Sequence, residues 1–328
     1  MPTPAPPEGR REAPRATRRV SVVIPSRNEA SRIEHTVRAV LDQGTPDVAL
    51  DVIVVDDGSV DGTARVAADA GAWIVTVPAA ASGSAGAARN RGARASHGDP
   101  IVFLDADCVP APGWLDALLT AHDAGETIVG GAFELAPRLS VSARCDHYCA
   151  WYHVHPRVPA RYVPNHPPGN LSVRRAAFLV TSGFAEQLPV AYSHEELEWQ
   201  AQLRRTGVRI WFEPRAIVYH HARAGLRDLL RRNYRWAYTA IESKAATGTS
   251  RLDALYRYPR VVVAASLPLA LVHTAYTIAC WLRRGHIEPL GLLPLVLAAR
   301  VSYAVGATIG GARWLRTRAS VGAVPARR

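Results

Sequence analysis

The chain has no Cys-x-x-Cys pair and only four cysteines, Cys108, Cys145, Cys149 and Cys280. That scatter argues against a zinc ribbon or a disulfide-stapled scaffold, and reduced, structural thiols are expected. His147, His153 and His155 stand near Cys145 and Cys149, but not in the spacing of a common structural zinc site. A glycine-rich basic loop after the first strand is also missing. PSRNEA (25–30) has no glycine, which argues against a nucleotidyltransferase or sugar-nucleotide pyrophosphorylase. No secretory signal is expected, because VSVVI (20–24) is too short for a signal core and runs straight into Pro25. Acidic residues are in deficit, leaving a formal charge of +11 that is mostly arginine. No nucleic-acid-binding motif accompanies it, so nucleic acid is not an expected partner. The arginines gather in residues 1–19, in 204–235 and around two apolar stretches near the C-terminus, a distribution that favours an anionic membrane surface.

What is present is room for one catalytic-sized domain with an appendage: 328 residues. Residues 1–19, rich in Pro, Ala and Arg, read as a disordered leader. Apolar runs follow at 20–24, 51–55, 72–77, 101–104 and 127–133, separated by segments of helical character. This alternation predicts an α/β domain over 20–246, with a mostly parallel sheet and helices on both faces. Residues 136–168 read as a long irregular segment dense in Tyr, His, Pro and Arg. Beyond it come GNLSVRR (169–175), a helix at 194–206, a strand at 208–212 and a basic helix at 225–246.

Within 257–312 two apolar stretches, 259–282 and 287–311, are each long enough to span a bilayer. Pro268, His273, Pro289, Pro294 and Arg300 interrupt them, so a re-entrant or surface-lying hairpin is the rival to two membrane helices. Arg251, Arg257 and Arg260 precede the pair, and Arg313, Arg316 and Arg318 follow it in a basic tail, 313–328. The positive-inside tendency puts both ends in the cytoplasm, a contrast weakened by Arg283 and Arg284 in the connecting loop.

The chemistry-bearing strings fall where strands should end, the edge at which open α/β sheets bind ligands. In IVFLDAD (101–107) Asp105 and Asp107 sit at i and i+2, so both carboxylates can face one hard cation such as Mg2+ or Mn2+, with a turn as the alternative. VSVVIPSRNEA (20–30) puts Glu29 within a polar loop able to meet a ribose, or merely at a helix start. DVIVVDDGSVDGT (51–63) follows a buried strand with Asp56, Asp57 and a turn-forming Gly58, and its Asp can accept from a base N–H. GAARNRGA (86–93) carries Arg89, placed near the base or phosphates, or on an alanine-rich solvated helix. His220 and His221 in VYHH are candidates for a third metal ligand.

In this order, these strings with GNLSVRR and HEELEWQAQLRRTGVRI resemble the family 2 glycosyltransferases over roughly residues 20–240. The resemblance implies a GT-A fold and inverting, metal-dependent transfer from a UDP- or GDP-sugar. It puts Pro25, Arg27, Glu29, Asp57 and Arg89 on the nucleotide, Asp105, Asp107 and His221 on the metal, and Gly169 and Asn170 on the acceptor. The family's catalytic base is usually the Asp of a Glu-Asp pair opening a helix, and here Glu195 and Glu196 fall on that pair. Glu196 is the expected base and Glu195 the second choice, with the extra methylene a departure that also suits an inactive membrane scaffold. RRNYRW (231–236) resembles the Q-x-x-R-W signature of processive members, with Arg232 in place of Gln and with Arg235 and Trp236 as acceptor contacts. A lipid-linked or amphiphilic acceptor at the cell membrane is the leading expectation, with the catalytic domain facing the cytoplasm. A growing glycan is the alternative.

Overall fold

The computed structural model describes residues 18–77, 83–187, 194–222, 225–248, 256 and 258–322. Most of the expected leader lies outside them, as do Arg251 and Arg257, while Arg18 and Arg19 already belong to the first strand.

The first half is a parallel α/β unit. Strands β1 (Arg18–Ser26), β2 (Val48–Asp56), β3 (Trp73–Thr76) and β4 (Ile101–Leu104) pair in the order β3-β2-β1-β4, linked through α1 (Ile33–Leu41), α2 (Thr63–Asp69) and α3 (Ala85–Ala95). Their apolar runs, Val22–Ile24 and Val52–Val55 among them, are buried on both faces, as parallel strands covered by helices require.

The second half departs from the expected parallel sheet. It contains β5 (Cys108–Pro110), α4 (Trp114–Asp123), β6 (Ile128–Leu135), α5 (Val141–Ala150), β7 (Arg161–Val163), β8 (Asn170–Val173), α6 (Arg175–Leu179), α7 (Glu195–Arg205) and β9 (Ile210–His220). The sheet continues β4-β8-β6-β9-β5 with β7 on β9, and β8 runs antiparallel to both its neighbours. The architecture is therefore a mixed sheet. Antiparallel pairing brings the start of β8 beside the end of β4, Asn170 opposite Leu104, and so delivers Gly169 to the strand-end edge.

Residues 136–168 are not irregular throughout, since they contain α5 and β7. Ser140 caps α5, its Oγ accepting the Ala143 N–H at 3.2 Å. The helix is buried around most of its circumference, from Ala143 to Ala150, so its sequence has no amphipathic period to betray it.

The C-terminal part comprises α8 (Leu226–Thr247), α9 (Pro259–Ala265), α10 (Leu269–Leu282), α11 (Glu288–Gly291) and α12 (Leu293–Gly322). Helix continues through the first ten residues of the expected basic tail, 313–322. Leu293–Arg318 is long and apolar enough to cross a membrane, whereas α9 and α10 qualify only together and are bent by 81°. One apolar core surrounds the sheet, a second joins α5 to α10 and α12, and a third joins α8, α9 and α12.

Candidate active site

Arg89 organises the strand-end edge. Its helix, α3, approaches the segment before α7 closely because Gly86 has no side chain; a Cβ there would stand 2.1 Å from the Ala185 carbonyl oxygen. One Arg89 guanidinium nitrogen donates to Asp105 Oδ1 at 2.6 Å and another to Glu195 Oε1 at 2.5 Å. Burial opposes the charge, but the two carboxylates outweigh it and raise the arginine pKa. The placement of Arg89 at the nucleotide gives way to a link between the acid after β4 and the start of α7.

Glu195 and Glu196 are held differently. The Glu195 carboxylate is taken by Arg89, and its carbonyl oxygen accepts the Ala185 N–H at 2.9 Å. Glu196 lies near enough to feel Glu195, Arg89 and Asp105, and burial followed by repulsion from Glu195 pushes its carboxyl up to about 8. A carboxyl that resists ionisation beside an arginine-bound partner has the character of a proton acceptor. His194, just before them, adopts φ 61°, with Nδ1 3.1 Å from Thr239 Oγ1 on α8.

Asp105 and Asp107 reach the same edge. Gly169 lies against Asp105, where a Cβ would fall 2.3 Å from Oδ2, so this glycine makes room for the carboxylate. Thr36 donates to the Ala106 carbonyl oxygen at 2.9 Å and fixes the turn between the two acids. Their side chains keep 36% and 24% exposure, enough to hold a divalent ion that also takes oxygens from a diphosphate and water. Of the two histidines, His220 faces Asp107, Nε2 to Oδ2 at 3.6 Å. Trp151 donates its indole N–H to His220 Nδ1 at 3.3 Å, so the neutral ring carries its proton on Nε2 and presents no lone pair to a metal there. Burial and then Arg232 lower the His220 pKa to about 3, which keeps it neutral. His221 donates its main-chain N–H to the Asp107 carbonyl oxygen at 2.8 Å, and its ring meets His35 edge-on with centroids 6.5 Å apart.

Among the described residues, one set of three ligating side chains has its ligand atoms within 4.8 Å of one another: Glu134, His147 and His155. Arg157 N–H donates to His155 Nδ1 at 3.1 Å, so the ring proton sits on Nε2 and goes to Glu134, 3.3 Å away. Glu134 and His155 thus form a hydrogen-bonded pair. The cysteines beside it, Cys145 and Cys149, pack into the core between α5 and the C-terminal helices.

At the nucleotide end, both Asp57 oxygens accept the Gly83 N–H, at 2.8 and 2.9 Å, and Arg27 stands 3.8 Å away. Glu29 pairs with Arg32 at 3.2 Å, and its main-chain N–H donates to Thr63 Oγ1 at 2.8 Å. Pro25 lies within β1 opposite Val55.

Asn170 corrects an expectation. It is fully buried, with its amide donating to the Ala132 and Ala216 carbonyls at 3.0 Å each and its oxygen accepting from Trp114 at 2.9 Å. All its contacts face the core, so it ties β8, β6, β9 and α4 together and is not turned to an acceptor. Arg232 on α8 pairs with Asp146 and lies 4.6 Å over the Trp236 ring, and that ring meets Trp151 edge-on at 6.0 Å. Arg232 and Trp236 thus support the wall behind His220, while Arg235 is exposed. Sequence reasoning missed Asp146 and Trp151. The single signal available was that each neighbours a motif residue in space, which spacing along the chain does not reveal.

The sequence profile of Glycosyl transferase family 2 matches residues 21–178. The chain is 32% identical over 243 residues to the pre-mycofactocin glycosyltransferase of Mycobacterium tuberculosis, covering 70% of this chain and 47% of that protein. It is 40% identical over 91 residues to the 4,4'-diaponeurosporenoate glycosyltransferase of Staphylococcus aureus, covering 27% of this chain and 24% of that one. It thus spans less than half the length of these curated relatives. The mannosyltransferase PcManGT of Pyrobaculum calidifontis, solved with GDP-Man and Mn2+, superposes with a TM-score of 0.55 at 19% identity, covering 94% of this chain and 90% of that one. That overlap concerns the fold and extends over nearly the whole chain. Through residues 21–178, with strand-end acids set on a mixed GT-A sheet, the chain carries a glycosyl transferase family 2 domain.

Proposed function

We propose that the protein is an inverting glycosyltransferase that moves a sugar from a UDP- or GDP-sugar to a lipid-linked or amphiphilic acceptor at the cell membrane. The observation that carries this reading is the convergence of Asp105, Arg89, Glu195 and Glu196 at one strand-end edge. Asp57 and Glu29, at the ends of β2 and β1, serve the base and ribose. Mg2+ or Mn2+ at Asp105 and Asp107, with His221 as a third ligand, would neutralise charge growing on the leaving diphosphate. Glu196 takes the proton from the acceptor hydroxyl as its oxygen bonds to the anomeric carbon and the bond from that carbon to the diphosphate oxygen breaks. Arg89 keeps Glu195 occupied, so that the neighbouring carboxyl is the one left to accept the proton.

The acceptor class draws support from the relatives named for pre-mycofactocin and diaponeurosporenoate, and from exposed apolar side chains concentrated on α9–α12. Arg260, Arg313 and Arg316 support a catalytic domain facing the cytoplasm. The test is a donor screen with Mn2+ and a lipid extract as acceptor, reading release of UDP, GDP or CDP. Release from a UDP- or GDP-sugar that disappears with chelator and in Asp107→Ala is expected. No metal-dependent release with any donor would refute the reading.

A further inference from the structure

Two hydrophobic stretches near the C-terminus pass for membrane spans by composition, yet their packing argues against crossing a bilayer. α9 and α10 have 7 and 14 residues and meet at 81°. At about 1.5 Å per residue neither reaches the roughly 30 Å of a hydrocarbon core. α12 is long enough, but it is fastened to a charged partner. Gly306 and Gly310 seat it against the main chain of Tyr234 and Tyr238, where Cβ atoms would come 2.2 and 1.8 Å from the carbonyl oxygens. Ser302 donates to the Leu230 carbonyl at 2.8 Å, and Arg313 pairs with Glu242 at 3.2 Å. From residue 302 to 313, therefore, α12 runs beside α8 residues 230–242, which include Arg231, Arg232, Arg235 and Glu242. A membrane around that part of α12 would drag those charges into hydrocarbon at several kcal/mol each, on the order of the insertion cost of Arg or Lys. Earlier in α12, Arg300 donates to the Cys149 carbonyl and to Thr277 Oγ1, at 2.7 and 2.8 Å, so the helix faces protein there as well.

Open to lipid is the outer side of the bent pair, alongside Ile287 and Leu290 on the approach to α12 and Val301 and Ile309 on its free side. Leu269, Val272 and Tyr276 recur at helical spacing along α10 with 39%, 62% and 46% exposure, and Leu267 and Leu271 widen the stripe at 48% and 65%. Exposed Arg260 and Arg283 flank it at either end. An apolar stripe bordered by arginines fits an anionic membrane surface, with lipid tails under the stripe and headgroups at the rim.

We propose that α9 and α10 lie in one leaflet of an anionic bilayer as a monotopic anchor, with α12 acting as a protein-packed strut and not a span. This sharpens the membrane side of the transferase reading and rests on it only for the acceptor's location. The test uses the full chain with phosphatidylcholine vesicles, with and without phosphatidylglycerol, read by flotation. Binding to the phosphatidylglycerol vesicles is expected, and Leu271→Asp with Val272→Asp should lower the bound fraction about tenfold or more. In membrane vesicles of known sidedness, Arg283→Cys and Asp69→Cys should both react with an impermeant maleimide from the same side. The native cysteines are buried and supply the background. Labelling from opposite faces would establish a crossing and overturn the proposal, as would absence of flotation or binding indifferent to the double substitution. UDP binding with Mn2+, measured on the same samples, separates the outcomes: its survival without flotation removes the anchor alone, and its loss from a floating wild-type protein removes the transferase reading alone.

Discussion

Glu196 carries the most consequential chemistry on a single side chain. Burial and the neighbouring Glu195 push its carboxyl up to about 8, so near neutrality it is mostly protonated and cannot yet take a proton. Transfer should accordingly climb as pH rises towards about 8 and then level off, a limb visible in kcat against pH. Glu196→Gln should lower kcat by roughly 100-fold or more and erase that limb while leaving Mn2+-UDP affinity nearly unchanged, measured by calorimetry. The stability sign runs the other way. A carboxyl whose folded pKa is raised favours folding below its unfolded value and loses that contribution as pH climbs through about 8. Melting scans should therefore find the wild type losing stability relative to Glu196→Gln over the interval from about 4.3 upward.

Asn170 shows what sequence reasoning misses at this scale. GNLSVRR supplied the right segment, and the Asn next to a strand-end glycine suggested an acceptor contact; whether a side chain turns inward depends on which strands close over it. Asn170→Ala would strand the Trp114 indole N–H and the carbonyls of Ala132 and Ala216 in the core. At about 1–3 kcal/mol per unsatisfied group, a large fall in melting temperature is expected. In whatever fraction stays folded, KM for the acceptor should be unchanged, since the residue meets protein on every side.

Between elements, the link that matters is α3 to α7 through Arg89. Arg89→Met leaves Glu195, buried at the start of α7, without its cation, and loss of a buried pair costs on the order of 3–5 kcal/mol. Asp105 contributes less to that figure because it is partly exposed. Arg89→Lys should recover little, since one ammonium does not span both carboxylates as the planar guanidinium does. Chemical denaturation of the three proteins would rank them wild type, Lys, Met. The α8–α12 contact obeys a different constraint, close approach of backbones. Gly310→Val places a side chain where the Tyr238 carbonyl oxygen already stands, so α12 must lift away; about 1–3 kcal/mol is a floor for such overpacking. Proteolysis of α12 should accelerate in that variant. Strand and helix positions were legible at this scale where full burial gave a continuous apolar run, as in β1, β2 and β4, or where one buried face imposed a helical period, as in α7 and α8. α5 escaped because it is covered nearly all round, and the antiparallel β8 because a short apolar strand reads the same in either direction.

For the whole molecule, ordered motifs exposed the catalytic half because three of them sit at the ends of β1, β2 and β4, and the ends of these parallel strands meet at one edge. The C-terminal third was legible only as hydrophobic, since hydropathy says how apolar a helix is and not what stands beside it. The same edge yields a linkage prediction that engages the entire fold. In the free protein Asp105 is held by Arg89, and Asp107 faces the N–H edge of His220. A divalent ion alone therefore competes with Arg89 for one carboxylate and gains only the few oxygens left exposed, whereas an ion arriving with a diphosphate brings oxygen ligands of its own. Melting temperature should respond little to Mn2+ alone, little to UDP with chelator, and strongly to the two together, by the equivalent of about 2.7 kcal/mol when the ligand stands at a hundred times its dissociation constant. Asp107→Ala should abolish the joint shift and leave the unliganded melting temperature close to that of the wild type, because its partly exposed carboxylate forms no short hydrogen bond among the described residues. Equal shifts in the variant and the wild type would move the ion away from the strand-end acids altogether.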